Sequence, residues 1–181
     1  MKAKRFRALP ALAALLAALA VFAAGCGSKP KADVSVFLMA ANGVPQEAAD
    51  KLQSGLTAAV GASPTVHLQA APLFSMELMI VQLAAGEHDI IVLPNEQFQT
   101  LAKQGGLVPL EDLFNKDDYK AGIVESNDNG KVETHLYGVP LDDAKWFKDQ
   151  GLNGKGLTAF IPSNSKHQDN AKKVIVKLAA K

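Results

Sequence analysis

Short apolar runs alternate with helix-like stretches through the first half of the chain, and this alternation limits the folds open to it. Residues 34–41 and 89–94 are mostly apolar, and 65–71 alternates between polar and apolar, so all three predict strands. Between them, apolar residues recur at helical spacing over 45–60 and 75–85. Strands that alternate with helices favour right-handed crossovers on a parallel sheet. We therefore expect an α/β fold with a mostly parallel sheet flanked by helices.

Residues typical of helix ends support this order. Ser75 and Asn95 have the short polar side chains of N-caps, and Gly86 is a natural helix stop. Ser165 followed by Gln168 has the spacing of a capping box, which predicts a C-terminal helix. The helix after Ser75 carries an apolar stripe that we expect to face the core. Its members are Met76, Met79, Ile80, Leu83 and Ala84.

The second half of the chain is less regular. Residues 115–133 are polar and include a strong turn signal, Asn-Asp-Asn-Gly, at 127–130. Residues 134–140 and 157–162 predict two further strands. These elements complete the predicted fold without an internal repeat.

The first 28 residues have the organisation of an export signal. Four cations within residues 1–7 precede an apolar run over 8–24, and Gly-Cys-Gly-Ser follows at 25–28. A basic start, an apolar centre and small residues at the end are typical of a secretory signal. A permanent transmembrane helix is the weaker alternative, because the run is Ala-rich and shorter than the roughly 20 residues that span a bilayer.

Cys26 is the single cysteine, and it ends this signal. The sequence Ala-Ala-Gly-Cys at 23–26 resembles the lipobox of bacterial lipoproteins, with Ala23 where leucine is usual. The resemblance implies that residues 1–25 are removed and that Cys26 becomes a lipidated N-terminus. A free thiol or an intermolecular disulfide is the weaker alternative. We expect 26–33 to be a flexible tether, and the protein to be anchored to the cell membrane on its extracytoplasmic side.

Charge and length narrow the possible functions of the remaining chain. Four of the 19 basic residues lie in the first 25, which contain no acid, so the rest carries 15 basic and 18 acidic residues. This net charge near −3 argues against nucleic acid as a partner. No arginine remains after the signal, so recognition of phosphate or carboxylate by a guanidinium group is excluded. Residues 34–181 are long enough for one α/β domain.

Five segments resemble, in order, parts of the extracellular solute-binding proteins of bacterial ABC importers. They are 83–94 (LAAGEHDIIVLP), 98–114 (FQTLAKQGGLVPLEDLF), 137–140 (YGVP), 145–152 (KWFKDQGL) and 160–175 (FIPSNSKHQDNAKKVI). The resemblance implies a lobe of the type 2 periplasmic-binding-protein kind. It also implies that the protein binds a solute for an importer and catalyses no reaction. The expected class of ligand is a carbohydrate.

The same comparison shows a departure from that family. Members usually have two lobes that close on a ligand, whereas here only residues 149–156 lie before the last predicted strand, where a second lobe would be inserted. A single lobe offers half of a cleft and cannot close by hinge motion. We therefore also expect an alternative: a one-lobe remnant that acts as a protein-interaction module in the cell envelope. Its partner would be an importer permease, another envelope protein or a second copy.

The predicted ligand site lies at the carboxyl edge of the sheet, where open α/β sheets bind their ligands. Polar residues near the predicted strand ends have side chains suited to a neutral solute, although turns and helix caps explain some of them equally well. Aromatic residues suit stacking on a sugar or a partner, and core packing is the alternative. The predicted ligand-binding residues are Asn42, Ser75, Asn95, Gln97, Tyr137 and Trp146.

Motifs for catalysis, metals and cofactors are missing from the sequence. The four histidines have no cysteine or histidine neighbours at ligand spacing, so we expect no metal site. No phosphate loop, dinucleotide fingerprint or nucleophile elbow occurs, so we expect neither a cofactor nor enzymatic activity. Asp142 and Asp143 are paired carboxylates without a partner base, which favours a solvated turn.

Overall fold

The computed structural model describes residues 31–128 and 130–181, and Ala32–Lys181 form one compact unit. The predicted signal and Cys26 lie outside the described residues. The strands are β1 (Val34–Leu38), β2 (Val66–Ala70), β3 (Ile90–Pro94), β4 (Ile123–Asp128), β5 (Lys131–Leu136), β6 (Gly138–Pro140) and β7 (Leu157–Phe160). The helices are α1 (Gln46–Val60), α2 (Met76–Ala85), α3 (Asn95–Ala102), a 3-10 helix (Lys116–Gly122), α4 (Lys145–Lys148) and α5 (Gln168–Leu178). Within the described part of the chain, no helix is long and apolar enough to cross a membrane.

The main sheet is mixed, which corrects the expectation of a mostly parallel sheet. Its strand order is β2-β1-β3-β7-β6, and only the β2-β1-β3 end is parallel. β7 pairs antiparallel with both β3 and β6. The reason is the connection over 141–156, which begins and ends at the carboxyl edge of the sheet. A strand that starts at that edge must run back against its neighbours.

Both faces of the main sheet are covered, and two apolar cores result. Val36 and Leu38 of β1 point to one face, and Phe37 of β1 points to the other. The first core includes side chains of α1, α4 and α5, and the second includes side chains of α2 and α3. Burial on both faces explains why β1 and β3 are apolar runs, whereas the edge strand β2 alternates.

A two-stranded antiparallel hairpin, β4–β5, follows the 3-10 helix and was missed from the sequence. The predicted strand over 134–140 is in fact the end of β5 plus β6, which belong to different sheets. Gly122 brings the 3-10 helix onto β6, because an added Cβ there would lie 1.7 Å from the carbonyl oxygen of Gly138. Only glycine permits so close an approach of two backbones.

One predicted helix cap is confirmed, and two others are wrong. The Ser75 hydroxyl accepts from Leu78 N at 3.1 Å and caps α2. Asn95 is already inside α3, whose N-cap is Pro94. The α5 N-cap is His167 without a side-chain cap, so Ser165 and Gln168 form no capping box. The Ser165 hydroxyl instead donates to the buried carboxylate of Asp89, which is a stronger acceptor than a backbone group.

We predict that Gly122→Ala destabilises the fold by about 3 kcal/mol, because its methyl group must push two backbone segments apart. The free energy of unfolding measured in urea by circular dichroism checks this value. Gly151→Ala is the control, since a methyl group there meets nothing within 4 Å. Gly151→Ala should lower the free energy of unfolding by about 1 kcal/mol, because alanine is less stable than glycine in the left-handed backbone conformation. Equal losses in the two variants would contradict the close contact between the 3-10 helix and β6.

Candidate functional site

The carboxyl edge of the sheet, where a ligand was expected, is closed by the loops of the chain itself. An added Cβ at Gly43 would lie 2.1 Å from Pro72 O, so the turn after β1 touches the loop after β2. Asn95 N donates to Gly156 O at 2.9 Å, and Gly156 N donates to the Asp142 carboxylate at 3.2 Å. These contacts join neighbouring loops to one another above the carboxyl ends of β1, β2 and β3.

The four polar residues predicted for this site differ in their freedom to bind. Asn42 is exposed and Gln97 is half-buried, and neither side chain has a hydrogen-bond partner within residues 31–128 and 130–181. Ser75 is occupied as the α2 cap. Asn95 accepts a hydrogen bond from the Thr158 hydroxyl. Two of the four side chains are therefore available to a ligand, and two hold the fold together.

The two aromatic residues predicted for the site lie in the core. Trp146 is 4% exposed, and its indole N–H donates to Leu52 O on α1 at 2.9 Å. Its ring also packs against Phe147, with the ring centres 4.7 Å apart. Tyr137 is buried in the second core beside the ring of His135. Both rings therefore pack in the core, which was the alternative to stacking. Neither ring has an open face that a sugar could contact.

Asp89 joins three separate segments at the amino edge of the sheet. Its buried carboxylate accepts from Ser35 N at 3.0 Å, from the Ser165 hydroxyl at 2.8 Å and from His167 N at 3.2 Å. Burial alone would raise the pKa of Asp89, but these hydrogen bonds and the nearby His167 ring lower it overall. The carboxylate thereby holds the start of α5 against β1 and β3.

This serine, aspartate and histidine cluster does not have the geometry of a catalytic triad. In a triad the imidazole accepts the serine proton and the carboxylate orients the imidazole. Here the Ser165 hydroxyl and His167 Nδ1 both contact Asp89, at 2.8 and 3.2 Å. Ser165 is itself buried. The arrangement stabilises the fold and does not activate a nucleophile.

Glu111 is the centre of a second charged cluster, beside an open cavity of about 530 Å³. Its carboxylate contacts Lys116 Nζ at 3.0 Å and His135 Nδ1 at 2.8 Å, and it accepts from Leu136 N at 3.1 Å. Burial opposes the charged form, but these contacts and a backbone hydrogen bond outweigh it and lower the pKa of Glu111 to about 2. The cluster ties the segment before the 3-10 helix to β5.

The most exposed apolar surface lies on and before α2. We call it the α2 surface, and it comprises Leu73, Met76, Ile80 and Val81. Leu73 is 73% exposed and Val81 is 59% exposed. The prediction that Met76 and Ile80 face the core is wrong, because α2 fully buries only Met79. The sequence contains a sign of this exposure. Eight of the ten α2 residues are apolar, and one buried face of a helix cannot accommodate so many.

Comparisons with known proteins give no further guide to this chain. No protein-family model matches it, and no curated protein or solved structure matches it either. Within the described residues, no group of three or more histidine, cysteine or acidic side chains is arranged to hold a metal ion. The candidate site is therefore defined by the chain's own geometry: a carboxyl edge whose loops contact one another, next to the exposed α2 surface.

We predict that Glu111→Gln lowers the free energy of unfolding by about 2–3 kcal/mol at pH 6. The pKa of Glu111 in the folded protein, about 2, lies below its ordinary 4.5, so its contribution is complete above pH 4.5 and is lost as the pH falls toward 2. Urea unfolding at pH 6, 4 and 2.5 measures the difference between wild type and variant. The exposed Glu96→Gln is the control. A difference that stays constant down to pH 2.5 would contradict the assignment.

Proposed function

We propose that this chain is a lipid-anchored protein of the bacterial cell envelope, of the solute-binding type reduced to one lobe. Its role is to bind a protein partner at the α2 surface without covalent chemistry. The exposed α2 surface supports this proposal most directly, because four of the six large exposed hydrophobic residues of the described chain lie there. Contiguous exposed apolar surface often marks a protein interaction site.

The energy available at the α2 surface fits reversible binding. Complete burial of one large apolar side chain stabilises a complex by about 1.5–3 kcal/mol. Four side chains that are 44–73% exposed supply about twice that amount. Because the costs of association are comparable, the α2 surface supports a reversible complex rather than a permanent one.

The position of the α2 surface agrees with descent from a two-lobed protein. Leu73 follows β2 at the carboxyl edge of the sheet, and Met76 is the first residue of α2. In the proposed ancestry, the missing lobe would lie beyond this edge. A surface that a second lobe once covered is then free to accept another protein. Lipidation at Cys26 would restrict that partner to the extracytoplasmic side, as an importer permease or another envelope protein.

We predict that a photo-crosslinking amino acid at Ile80 captures one envelope protein in cells that produce the full chain. The same probe at Thr57, exposed on α1 over the opposite face of the sheet, is the control and should capture none. Met76→Asp in the Ile80 probe chain should abolish the product, because a charge must then be buried against apolar surface. Gel mobility and mass spectrometry identify the product.

Three results would contradict this proposal. A product of equal yield from the Thr57 position would show non-specific capture. A product that survives Met76→Asp would place the contact elsewhere. A product made of two copies of this chain would make the α2 surface a dimer interface instead of a partner site.

Solute binding at the carboxyl edge is a second candidate, favoured by the unpartnered side chains of Asn42 and Gln97. Residues 31–181 contain both cores and serve as the soluble protein for calorimetry. If the main proposal holds, titration with neutral mono- and disaccharides gives no heat of binding up to millimolar concentration. Saturable binding that is lost in the Asn42→Ala and Gln97→Ala variants would favour solute capture instead. The Ser75→Gly variant is not a control, because it removes a helix cap.

A further inference from the structure

A groove runs along the free edge of β4, on a different part of the molecule from the α2 surface. We call it the β4 groove: one wall is α3 with the adjoining Lys103, and the other is the edge of β4 from Ile123 to Asn127. Its volume is about 520 Å³. β4 pairs with β5 on its other side only, so within the described chain this edge has no strand beside it.

The backbone of Glu125 points into this groove. Asn127 N donates to Lys103 O at 3.0 Å, so the N–H of Asn127 points away from β5. N–H groups two residues apart on a strand point the same way, so the N–H and C=O of Glu125 also face α3. No backbone partner for Glu125 occurs on this side within residues 31–128 and 130–181. The groove therefore offers one free donor and one free acceptor of strand geometry.

Side chains add complementary charge to the two walls. Lys103 on one wall and Glu125 on the other are exposed, and neither forms an ion pair within the described residues. The Ser126 hydroxyl at the groove is buried and has no hydrogen-bond partner among the described residues. A buried polar group without a partner calls for an explanation, and an unfilled binding groove supplies one.

The dimensions of the groove fit one extended segment of polypeptide. Ile123 N donates to Lys120 O and Asn127 N donates to Lys103 O, so the open stretch of this edge is 124–126. At about 3.3 Å per residue it spans roughly 7 Å, the length of an extended segment of three residues. A second copy of the chain fits less well, because two-fold pairing through Glu125 would set two like charges directly opposite each other.

We propose that the β4 groove binds an extended peptide segment of another protein by adding it as a strand beside β4. The segment carries an acidic side chain that meets Lys103 and a basic side chain that meets Glu125. Main-chain hydrogen bonds to Glu125 supply affinity, and the two charges supply direction and selectivity. This site is independent of the α2 surface and of the partner proposed there.

The test selects random seven-residue peptides displayed on phage against residues 31–181, and then measures the affinity of the synthetic peptides. Glu125→Pro removes the N–H that faces the groove together with the Glu125 carboxylate, and it leaves the β4–β5 ladder intact, as proline on an edge strand allows. It should weaken binding about tenfold or more, whereas Glu125→Gln, which removes the charge alone, should weaken it less. Hydrogen exchange of the Glu125 amide in the wild-type protein should slow on saturation with the peptide.

A matched control lies in the same hairpin. Thr134 is directly opposite Glu125, and its N–H faces the outer edge of β5, because Leu136 N on the same strand donates outward to Glu111. Thr134→Pro therefore introduces the same residue away from the groove, and it should change affinity less than about twofold. Lys103→Glu alters no internal contact and should weaken the binding of acidic peptides about fivefold, even if a proline variant fails to fold.

Three results would overturn the proposal. The first is a selection that enriches no peptide above background. The second is a set of peptides that bind Lys103→Glu as tightly as the wild type and leave exchange of the Glu125 amide unchanged. The third is a wild-type dimer in sedimentation velocity that dissociates on Glu125→Pro, which would show that a second copy occupies the β4 edge. Failure of the crosslinking test at Ile80 would leave this site unaffected.

Discussion

The connection between β6 and β7 determines most of this structure. It leaves the carboxyl edge of the sheet at Leu141 and returns to the same edge at Gly156. Because the return strand starts at that edge, β7 runs antiparallel to β3 and β6 and makes the sheet mixed. The connection is short, so it cannot form a second lobe above the sheet. It packs instead as α4 against α1, with Trp146 bonded to Leu52 O.

The same constraint explains why the two proposed binding surfaces lie away from the edge where the sequence predicts a ligand site. Gly156 N donates to Asp142 within the short connection over 141–156, which adds no second lobe, so the carboxyl edge lacks a cleft between two lobes. The surfaces left to a partner are then those away from this edge. The α2 surface is apolar and suits a folded partner, whereas the β4 groove is polar and suits a peptide strand. The two surfaces therefore differ in the chemistry of the partner that each accepts.

The sequence predicted the main-sheet strands β1, β2, β3 and β7 within a few residues, because β1, β3 and β7 are mostly apolar runs and β2 alternates between polar and apolar residues. It missed β4–β5, whose residues are mostly polar and whose place depends on distant contacts. Gly122 must approach Gly138, and Glu111 must reach Leu136. No local pattern encodes either contact. The turn signal at 127–130 stands out in the sequence because turn chemistry is local.

The candidate site was less predictable than the fold, because burial depends on contacts between distant residues. Trp146 lies in a polar segment of the sequence, yet its ring is buried. Its indole N–H donates a hydrogen bond to the backbone oxygen of Leu52, 94 residues away. Met76 and Ile80 fit an inward stripe, but α2 is apolar on nearly all sides, so spacing cannot identify its buried face. Asn42 and Gln97 remain available because turns and helix starts leave polar side chains outside. Sequence patterns thus identify the edge of a sheet, and only packing shows which side chains are free there.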